Sequence, residues 1–481
     1  MGSSWTENEN NALTKAYIDM LEKLMNGGDV VKAEVRRELI EGPLAERSDS
    51  SVEFKMANAS AALDDAGYPW VEGYKPLENY QQQLQDIAKI MADERQLLEK
   101  SIRWAVEQFG RGVAEAGLTF DEELIRTFVC SLATKRFVIL TGLSGSGKTQ
   151  IAKQFGHWLG EEHFEIVPVR PDWTGSEALF GYQDALMPPA DDGRRGWTVP
   201  RPLEFMLRAS RDPDNPYLLI LDEMNLAHVE RYFADALSGM ESDHRVLPNL
   251  QREDDGIWRI RKDAEYDRIC LPDNLFIVGT VNVDETTYMF SPKVLDRANT
   301  IEFRVRTEDL ADEYRRPSTC TEGPRELVRG FLSVARSANW HTERESNTAD
   351  VIDTHLRSLH SLLSEAGFEF GHRVFFEVLR FSALYEAAGN SAPMAALDRQ
   401  VMQKLLPRLH GSRRRLETTL CGLAHFCHDL TFDEGSIIDG KAKSFDPMEP
   451  RDEAAALPVS FDKLRRMTRN LRANQFVSFT E

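Results

Sequence analysis

The chain has 481 residues, enough for about three domains of ordinary size. It carries 58 Lys and Arg residues against 78 Asp and Glu residues, and the formal net charge of −20 excludes a protein that coats nucleic acid through a generally basic surface. The five cysteines form no CxxC motif, the N-terminus is polar, and no apolar run approaches the ~18 residues of a membrane helix, so we expect a reduced, cytoplasmic protein without a membrane partner.

Residues 1–125 are predicted to form a helical N-terminal domain. Apolar residues recur at helical spacing over residues 5–25, 31–40 and 54–63, and a longer pattern predicts one helix over residues 79–109. Six basic residues in this region are candidates for a surface that binds DNA or a partner protein: Lys32, Arg36, Arg37, Arg47, Lys55 and Lys75. The alternative, solvated charges scattered among many acids, has the greater weight.

Residues 126–306 change in character and are predicted to form an α/β domain. Short apolar runs, separated by helical patterns, are typical of a parallel sheet with crossover helices. These runs lie at residues 137–140, 164–169, 217–221 and 275–281. Alternating polar and apolar residues over 242–272 break the rhythm and predict an inserted hairpin. An earlier polar loop holds Arg194 and Arg195, which either contact DNA or lie in a plain exposed turn.

The rest of the chain is predicted to be a helical domain over residues 307–430 and a C-terminal segment over 431–481, with a polar loop and a last helix over 461–471. Three roles are open for the basic residues on this helix: pairing with acidic residues, docking a partner subunit or binding phosphates. These residues are Lys463, Arg465, Arg466, Arg469 and Arg472. A second cluster has a spacing that permits metal binding, although its apolar neighbours favour a packed core helix: Cys421, His425 and His428, with Cys427 adjacent.

The strongest motif follows the first apolar run. Residues 142–149 read GLSGSGKT and fit the phosphate-binding loop G-x-x-x-x-G-K-[ST] at every position, between a predicted strand and a predicted helix. Small residues let backbone N–H groups wrap phosphates, and the helix N-terminus adds partial positive charge. The residues expected to bind nucleotide are Gly142, Ser144, Gly145, Ser146, Gly147, Lys148, Thr149 and Gln150. Lys148 would reach the β- and γ-phosphates, and the Thr149 hydroxyl would take a Mg²⁺ position.

Polar residues at the ends of two later runs complete the predicted site. Asp222 and Glu223 follow the run at 217–221, where Asp222 would hold Mg²⁺ and Glu223 would polarise the attacking water. The alternative is that this acidic pair opens a solvated helix. Asn282 follows the run at 275–281 and would orient the same water, unless it is only a turn residue.

Together these motifs resemble an AAA+ NTPase, and more narrowly the McrB-like clade, the motor subunits of modification-dependent restriction systems. The resemblance covers residues 137–416 and rests on the stretches LTGLSGSGKTQIA, VRPDWTGSEALFGY, LLILDEMNLAHVERYFADALSGMES, FIVGTVNVDETTYMFSPKVLDRANTIEF and KLLPRLHGSRRRLE. The region around Trp173 and the hairpin before Asn282 match the two insertions of this clade. The N-terminal stretches VKAEVRRELIEGPLAERSDSSVEFKMANASAAL and VEGYKPLENYQ resemble a helical module of restriction-associated proteins.

The resemblance implies an α/β AAA+ core with a helical lid and a ring of subunits, commonly a hexamer. Arg297 lies where the arginine finger of a neighbouring subunit is expected, unless it only pairs with Asp296. Arg373 lies near the position of a lid sensor arginine. A ring of this kind would act on DNA with a separate nuclease partner, McrC-like or other, because the chain has no convincing nuclease signature of its own.

The cofactors implied are Mg²⁺ and a nucleoside triphosphate. GTP-using McrB proteins carry a signature resembling Met-Asn-x-x-Asp-Arg, whereas this chain reads VNVDET over residues 281–286, so ATP is expected and GTP stays open. Two other functions compete with a DNA motor. One is a MoxR-like chaperone that remodels polypeptides, which the acidic net charge favours. The other is a nucleotide-gated scaffold with slow turnover, which the intact motifs disfavour.

Overall fold

The structure is a computed structural model that describes residues 4–77, 79–242, 244–283, 290–305, 316–338, 347–390 and 392–479. Within these ranges, no helix combines the length and the apolar character needed to cross a lipid bilayer. All five cysteines are free thiols.

Helices dominate both ends of the chain, and the strands fall mainly between them. The helices are α1 (Glu7–Met25), α2 (Lys32–Glu41), α3 (Asp49–Asp65), α4 (Gln82–Glu94), α5 (Leu97–Glu115), α6 (Glu122–Thr134), α7 (Lys148–Leu159), α8 (Glu177–Phe180), α9 (Arg201–Arg211), α10 (Val229–Tyr232), α11 (Ala234–Glu241), α12 (Pro292–Leu295), α13 (Arg325–Arg336), α14 (Asn347–Glu365), α15 (His372–Ala387), α16 (Pro393–Gln400), α17 (Arg413–Asp429) and α18 (Pro458–Asn474). The strands are β1 (Phe137–Gly142), β2 (Phe164–Pro168), β3 (Tyr182–Gln183), β4 (Trp197–Thr198), β5 (Tyr217–Asp222), β6 (Leu247–Pro248), β7 (Leu250–Arg252), β8 (Trp258–Ile260), β9 (Arg268–Ile269), β10 (Leu275–Asn282), β11 (Asn299–Phe303), β12 (Gly411–Ser412) and β13 (Phe476–Val477).

The N-terminal helices follow the predicted pattern with one correction. Helix α1 begins at a capping box in which the Thr6 side chain accepts from the Glu9 N–H and Glu9 accepts from the Thr6 N–H. The single helix predicted over residues 79–109 is wrong, because Gln96 adopts a left-handed backbone with φ +54° and divides α4 from α5. The break lets α4 pack on α1 and α3 while α5 packs on α13.

Helix α6 lies where the predicted N-terminal domain and the predicted α/β domain meet. Its N-cap is Asp121, whose carboxylate accepts from the Glu123 N–H at 3.0 Å, and the residues from Ile125 to Thr134 are buried. The predicted boundary between residues 125 and 126 falls inside this helix. The division into four domains stays a prediction.

The central sheet has five parallel strands in the order β11-β1-β10-β5-β2. Four of these strands were predicted, whereas β11 was missed because it alternates polar and apolar residues at the sheet edge. Its half-buried acidic residue Glu302 pairs with Lys463 at 2.6 Å and Arg466 at 2.8 Å, both from α18. In register, Gly142 faces Asn282 and Leu221 faces Gly279. The carboxyl ends of β1, β5 and β10 therefore meet at one edge of the sheet.

Strands β3 and β4 belong to the first insertion, and β7 and β8 belong to the second. Together they form one antiparallel sheet in the order β3-β4-β8-β7. The hairpin predicted within residues 242–272 is present as the β7–β8 pair, and β6 pairs with β9 beside it. Buried Arg259 binds Glu253 at 2.7 Å, and the same carboxylate binds Arg194 at 2.7 Å. Arg194 therefore links the two insertions instead of being a free DNA contact, while Arg195 is exposed.

Two hydrophobic cores cover the two faces of the central sheet. One joins α7 to the N-terminal helices and to the helices after residue 325, and the other lies under α9, α11 and the insertions. Helix α13 packs directly on α5 and α1. Arg329 of α13 pairs with Glu72 at 2.5 Å and stacks over Trp70, with 3.8 Å between the guanidinium carbon and the ring centroid. Therefore the N-terminal helices share their core with later helices.

Most of the basic residues considered as DNA contacts have acidic or polar partners. Arg36 pairs with Asp49 and Arg47 with Glu9, while Lys55 is buried and donates to Gln81. The last helix behaves in the same way, with Arg472 pairing with Glu417 at 3.1 Å. Pairing with acids is therefore the interpretation that the structure favours for the last helix, while the N-terminal basic residues have mixed acidic and polar partners.

The Cys421–His428 cluster lies on the packed helix α17, where Cys421, Cys427 and His428 are buried. The His428 Nδ1 lies 2.5 Å from an Asp429 carboxylate oxygen, its Nε2 lies 3.2 Å from the Glu453 carbonyl oxygen, and the His425 ring stacks on Phe445. Among the residues that the structure describes, no group of three or more His, Cys, Asp or Glu side chains is arranged to hold a metal ion.

Candidate nucleotide-binding site

The phosphate loop connects β1 to α7, as its motif predicts. All eight residues expected to bind nucleotide lie in this loop or in the first turn of α7, at the end of the sheet where β1 stops. Gly147 has φ +96°, and a Cβ there would lie 2.9 Å from the Phe120 ring, so glycine is required by backbone and by space. The N-terminus of α7 therefore presents its N–H groups at the loop.

Lys148 is buried and folds over its own loop. Its ammonium group donates to the Gly142 carbonyl at 2.9 Å, to the Leu143 carbonyl at 2.6 Å and to the Ser146 hydroxyl at 3.3 Å. These oxygens hold the cation where a phosphate of a bound nucleotide would compete for it. The predicted role of Lys148 fits this position.

Asp222, at the end of β5, lies directly against the phosphate loop. Its Oδ1 accepts from the Thr149 hydroxyl at 2.8 Å and from the Thr280 hydroxyl at 2.7 Å. A hydroxyl and a carboxylate are hard oxygen donors of the kind that Mg²⁺ prefers. Thr149 and Asp222 therefore fit the predicted metal position, and the ion would neutralise charge on the β- and γ-phosphates.

Glu223 is held by two residues of the neighbouring strand β10. Its backbone is left-handed, with φ +53°, and its N–H donates to the Thr280 hydroxyl at 2.9 Å. Its carboxylate accepts from the Asn282 amide at 3.2 Å. A non-glycine residue in this conformation is strained and persists only where its surroundings hold it, as at many functional sites. The Asp222–Glu223 pair therefore lies at the end of a strand, not at the start of a solvated helix.

Thr280 was missed in the sequence and contacts both acidic residues. A single hydroxyl donates to the Asp222 carboxylate and accepts from the Glu223 N–H. Side chains two residues apart on a strand lie on the same face. Thr280 could therefore have been predicted from Asn282, which lies two residues further along β10. Asn225 adds a further contact, donating to the Asn282 carbonyl at 3.3 Å.

Arg297 and Arg373 meet at a carboxylate that the sequence did not indicate. Glu241, the last residue of α11, binds the Arg297 Nε at 2.5 Å and also accepts from Arg373. We call Glu241, Arg297 and Arg373 the arginine cluster. The alternative pairing of Arg297 with Asp296 is wrong, since Asp296 pairs with Arg408 at 2.6 Å. Arg373 is thus placed beside Arg297, with no described contact to the phosphate loop of its own chain.

Comparisons with known proteins agree with this geometry. A family model described as an AAA domain of the dynein-related subfamily matches residues 137–297, and a model described as a domain of unknown function (DUF8727) matches residues 329–476. The chain is 26% identical over 168 residues to the type IV methyl-directed restriction enzyme EcoKMcrB subunit of Escherichia coli (strain K12).

That alignment covers 34% of this chain and 34% of the relative, so the chain spans about a third of the length of the relative it matches. The resemblance of residues 1–125 to a restriction-associated module stays a prediction. So does the interpretation of the sequence over 284–286, which lies outside the described residues. The P-loop and the parallel sheet agree with the family match in showing an AAA domain over residues 137–297, and the chain is similar over about a third of its length to a McrB restriction subunit.

Proposed function

We propose that the protein is a ring-forming NTPase that hydrolyses ATP or GTP with Mg²⁺ and uses the energy to move along or remodel DNA, in a restriction or anti-phage system with a separate nuclease. The observation that carries the hydrolytic part is the connected set of hydrogen bonds from Thr149 through Asp222 and Thr280 to Glu223 and Asn282. The similarity to a restriction enzyme subunit supports the DNA part.

Each residue of this set has a distinct task in the proposed reaction. Lys148 and the loop N–H groups bind the phosphates, and Thr149 and Asp222 hold the ion. Glu223 accepts a proton from the attacking water, which Asn282 helps to orient. Since Asn282 donates to the Glu223 carboxylate, it also sets the direction in which that carboxylate points.

The arginine cluster supports the ring. Arg297 and Arg373 keep 27% and 46% of their side chains exposed, although both bind Glu241. Exposed guanidinium groups next to each other form a surface that attracts phosphate. Their described contacts are with Glu241 and, for Arg297, also with the Lys293 carbonyl at 3.0 Å, and not with the phosphate loop of the same chain. We assign them to the nucleotide of a neighbouring copy, where they would stabilise charge on the transferred phosphoryl group.

Steady-state hydrolysis of ATP and of GTP, with and without double-stranded DNA, tests the proposal. We expect hydrolysis that DNA stimulates and that Lys148→Ala abolishes. The matched control is Lys153→Ala, which removes a lysine from the same helix outside the loop. Absence of hydrolysis under all conditions, by protein that binds nucleotide normally, would contradict the proposal.

A protein remodeller of the MoxR type is the second candidate. The pairing of Arg36, Arg47 and Arg472 with acids removes charge from surfaces that a DNA motor would use, and the net charge of −20 acts in the same direction. Adding an unfolded polypeptide to the same assay separates the two functions. Stimulation by polypeptide and indifference to DNA would favour the remodeller.

A further inference from the structure

A fully buried lysine lies behind the arginine cluster. The Lys404 side chain is 1% exposed, and its ammonium group binds Glu377 at 2.6 Å. The other oxygen of Glu377 binds Lys135 at 2.5 Å. We call Lys135, Glu377 and Lys404 the lysine cluster. Two cations that share one carboxylate largely shielded from water are costly to assemble, so their arrangement calls for an explanation beyond stability.

The lysine cluster reaches the backbone on both sides of Arg297. Lys404 donates to the Ala298 carbonyl at 2.9 Å, and Lys135 lies 3.3 Å from the Asp296 carbonyl. Asp296 is fixed a second time by Arg408. The residues before and after Arg297 are thus held by cations from two separate parts of the chain, one preceding β1 and one following α16.

Helix α15 joins the two clusters. Arg373 and Glu377 are four residues apart and therefore lie on one face of the helix. The first binds Glu241 and the second binds both lysines, while Arg380 anchors the same helix by donating to the Ala335 carbonyl at 2.7 Å and the Thr134 carbonyl at 3.2 Å. The position of α15 is consequently transmitted to Arg297 by two routes, through Glu241 and through the lysines.

We propose that Glu377 is a positioning residue for Arg297: through Lys135 and Lys404 it fixes the backbone on both sides of Arg297 relative to α15, so that Arg297 and Arg373 meet a nucleotide in one fixed arrangement. This inference rests on the proposed role of Arg297 in hydrolysis. A guanidinium displaced by about 1 Å loses up to ~10²-fold in rate, which is why such support matters.

The test compares steady-state hydrolysis by the full-length protein and four variants. Glu377→Gln removes the charge and keeps the shape, and Lys404→Met removes the donor to Ala298 with a side chain that fills the same space. Both should lower kcat about 10-fold or more with KM for the nucleotide unchanged. The control is Glu417→Gln, since Glu417 is likewise a half-buried carboxylate between cations but lies among α17 and α18, and it should leave kcat unchanged. Arg297→Ala is the fourth variant.

Combining Glu377→Gln with Arg297→Ala separates positioning from general damage. If Glu377 acts through Arg297, its substitution has no further effect on kcat once Arg297 is gone, whereas independent damage adds. Additive effects, or an unchanged kcat in Glu377→Gln, would overturn the inference while leaving the proposed function intact. Should Glu377→Gln fail to fold, Lys404→Met decides by the same comparison. An unchanged kcat in Arg297→Ala would instead refute the role of Arg297 on which the inference rests.

Discussion

The nucleotide site and the arginine cluster are both organised by carboxylates, but their partners differ in kind. Asp222 and Glu223 are bound by neutral hydroxyl and amide groups, most of them from the adjacent strand of the same sheet. Glu241 is bound by cations that lie 56 and 132 residues further along the chain. The first arrangement follows from the register of the sheet, whereas the second depends on how helices pack on it. We therefore expect the two regions to fail in different ways.

After the loss of hydrolysis expected from Lys148→Ala, the largest effect is expected from Arg297→Ala. If the guanidinium completes the site of a neighbouring copy, kcat falls about 10³-fold or more while the affinity for nucleotide changes little. Steady-state hydrolysis and nucleotide titration measure the two quantities. Arg304→Ala, which removes a half-exposed arginine paired with Asp462, is the control and should change neither.

Glu223→Gln should lower kcat about 10²-fold or more, because the amide cannot accept the proton of the attacking water. Nucleotide should remain bound, since the phosphate-binding residues are untouched. Single-turnover hydrolysis next to a binding titration shows this directly. Exposed Glu204, on α9, gives the control Glu204→Gln. A variant that hydrolyses normally would show that the site does not use Glu223 as a base.

Thr280→Val should lower kcat about 10-fold, since it removes the hydroxyl shared by Asp222 and Glu223 and leaves both groups short of a partner. Thr300→Val is a matched control in β11: its buried hydroxyl has no hydrogen-bond partner in the part of the chain that the structure describes. The control should keep its activity. If Thr280→Val also keeps the kcat of the native protein, the strand register positions Asp222 and Glu223 without help from the Thr280 hydroxyl.

The smallest effect concerns stability and pH. Burial lowers the pKa of Lys404 from 10.5 to about 7. Between pH 7 and 10.5 the Lys404 amine holds its proton more tightly in the unfolded chain than in the folded protein. The buried charge of Lys404 therefore destabilises the fold fully below pH 7, and this destabilisation disappears as the pH rises toward 10.5. The free energy of unfolding of the native protein should therefore rise between pH 7 and 9 relative to that of Lys404→Met. Denaturant unfolding of both proteins at the two pH values measures this difference. The same change in the free energy of unfolding in both proteins would contradict the expectation.

The part of the site predicted from the sequence is the part built locally. The phosphate loop and Asp222 lie within single strand–turn segments, where spacing along the chain equals proximity in space. Asn282 was predicted because parallel strands end at the same edge, and the same logic extends to Thr280 through the period of two. The match to an AAA domain confirms the fold that these motifs indicated.

What the sequence did not reveal depends on distant contacts. Nothing near Glu241 distinguishes it from other acids at the end of a helix, and its importance appears only when α15 brings Arg373 to it. Strand β11 was missed because Glu302 reads as a surface residue until α18 supplies Lys463. The break at Gln96 has no glycine or proline to mark it, so the periodic pattern continued through it.

The sheet shared by the two insertions has a consequence for how the chain tolerates shortening. Strand β8 lies between β4 of one insertion and β7 of the other. Deleting the first insertion alone would strip β8 of one neighbour and expose its unpaired backbone groups, which recruit strands from other molecules and cause aggregation. Loss of the first insertion would also remove Arg194, one of the two arginines that pair with Glu253. The two insertions therefore support each other, and shortening one alone would destabilise the sheet that both form.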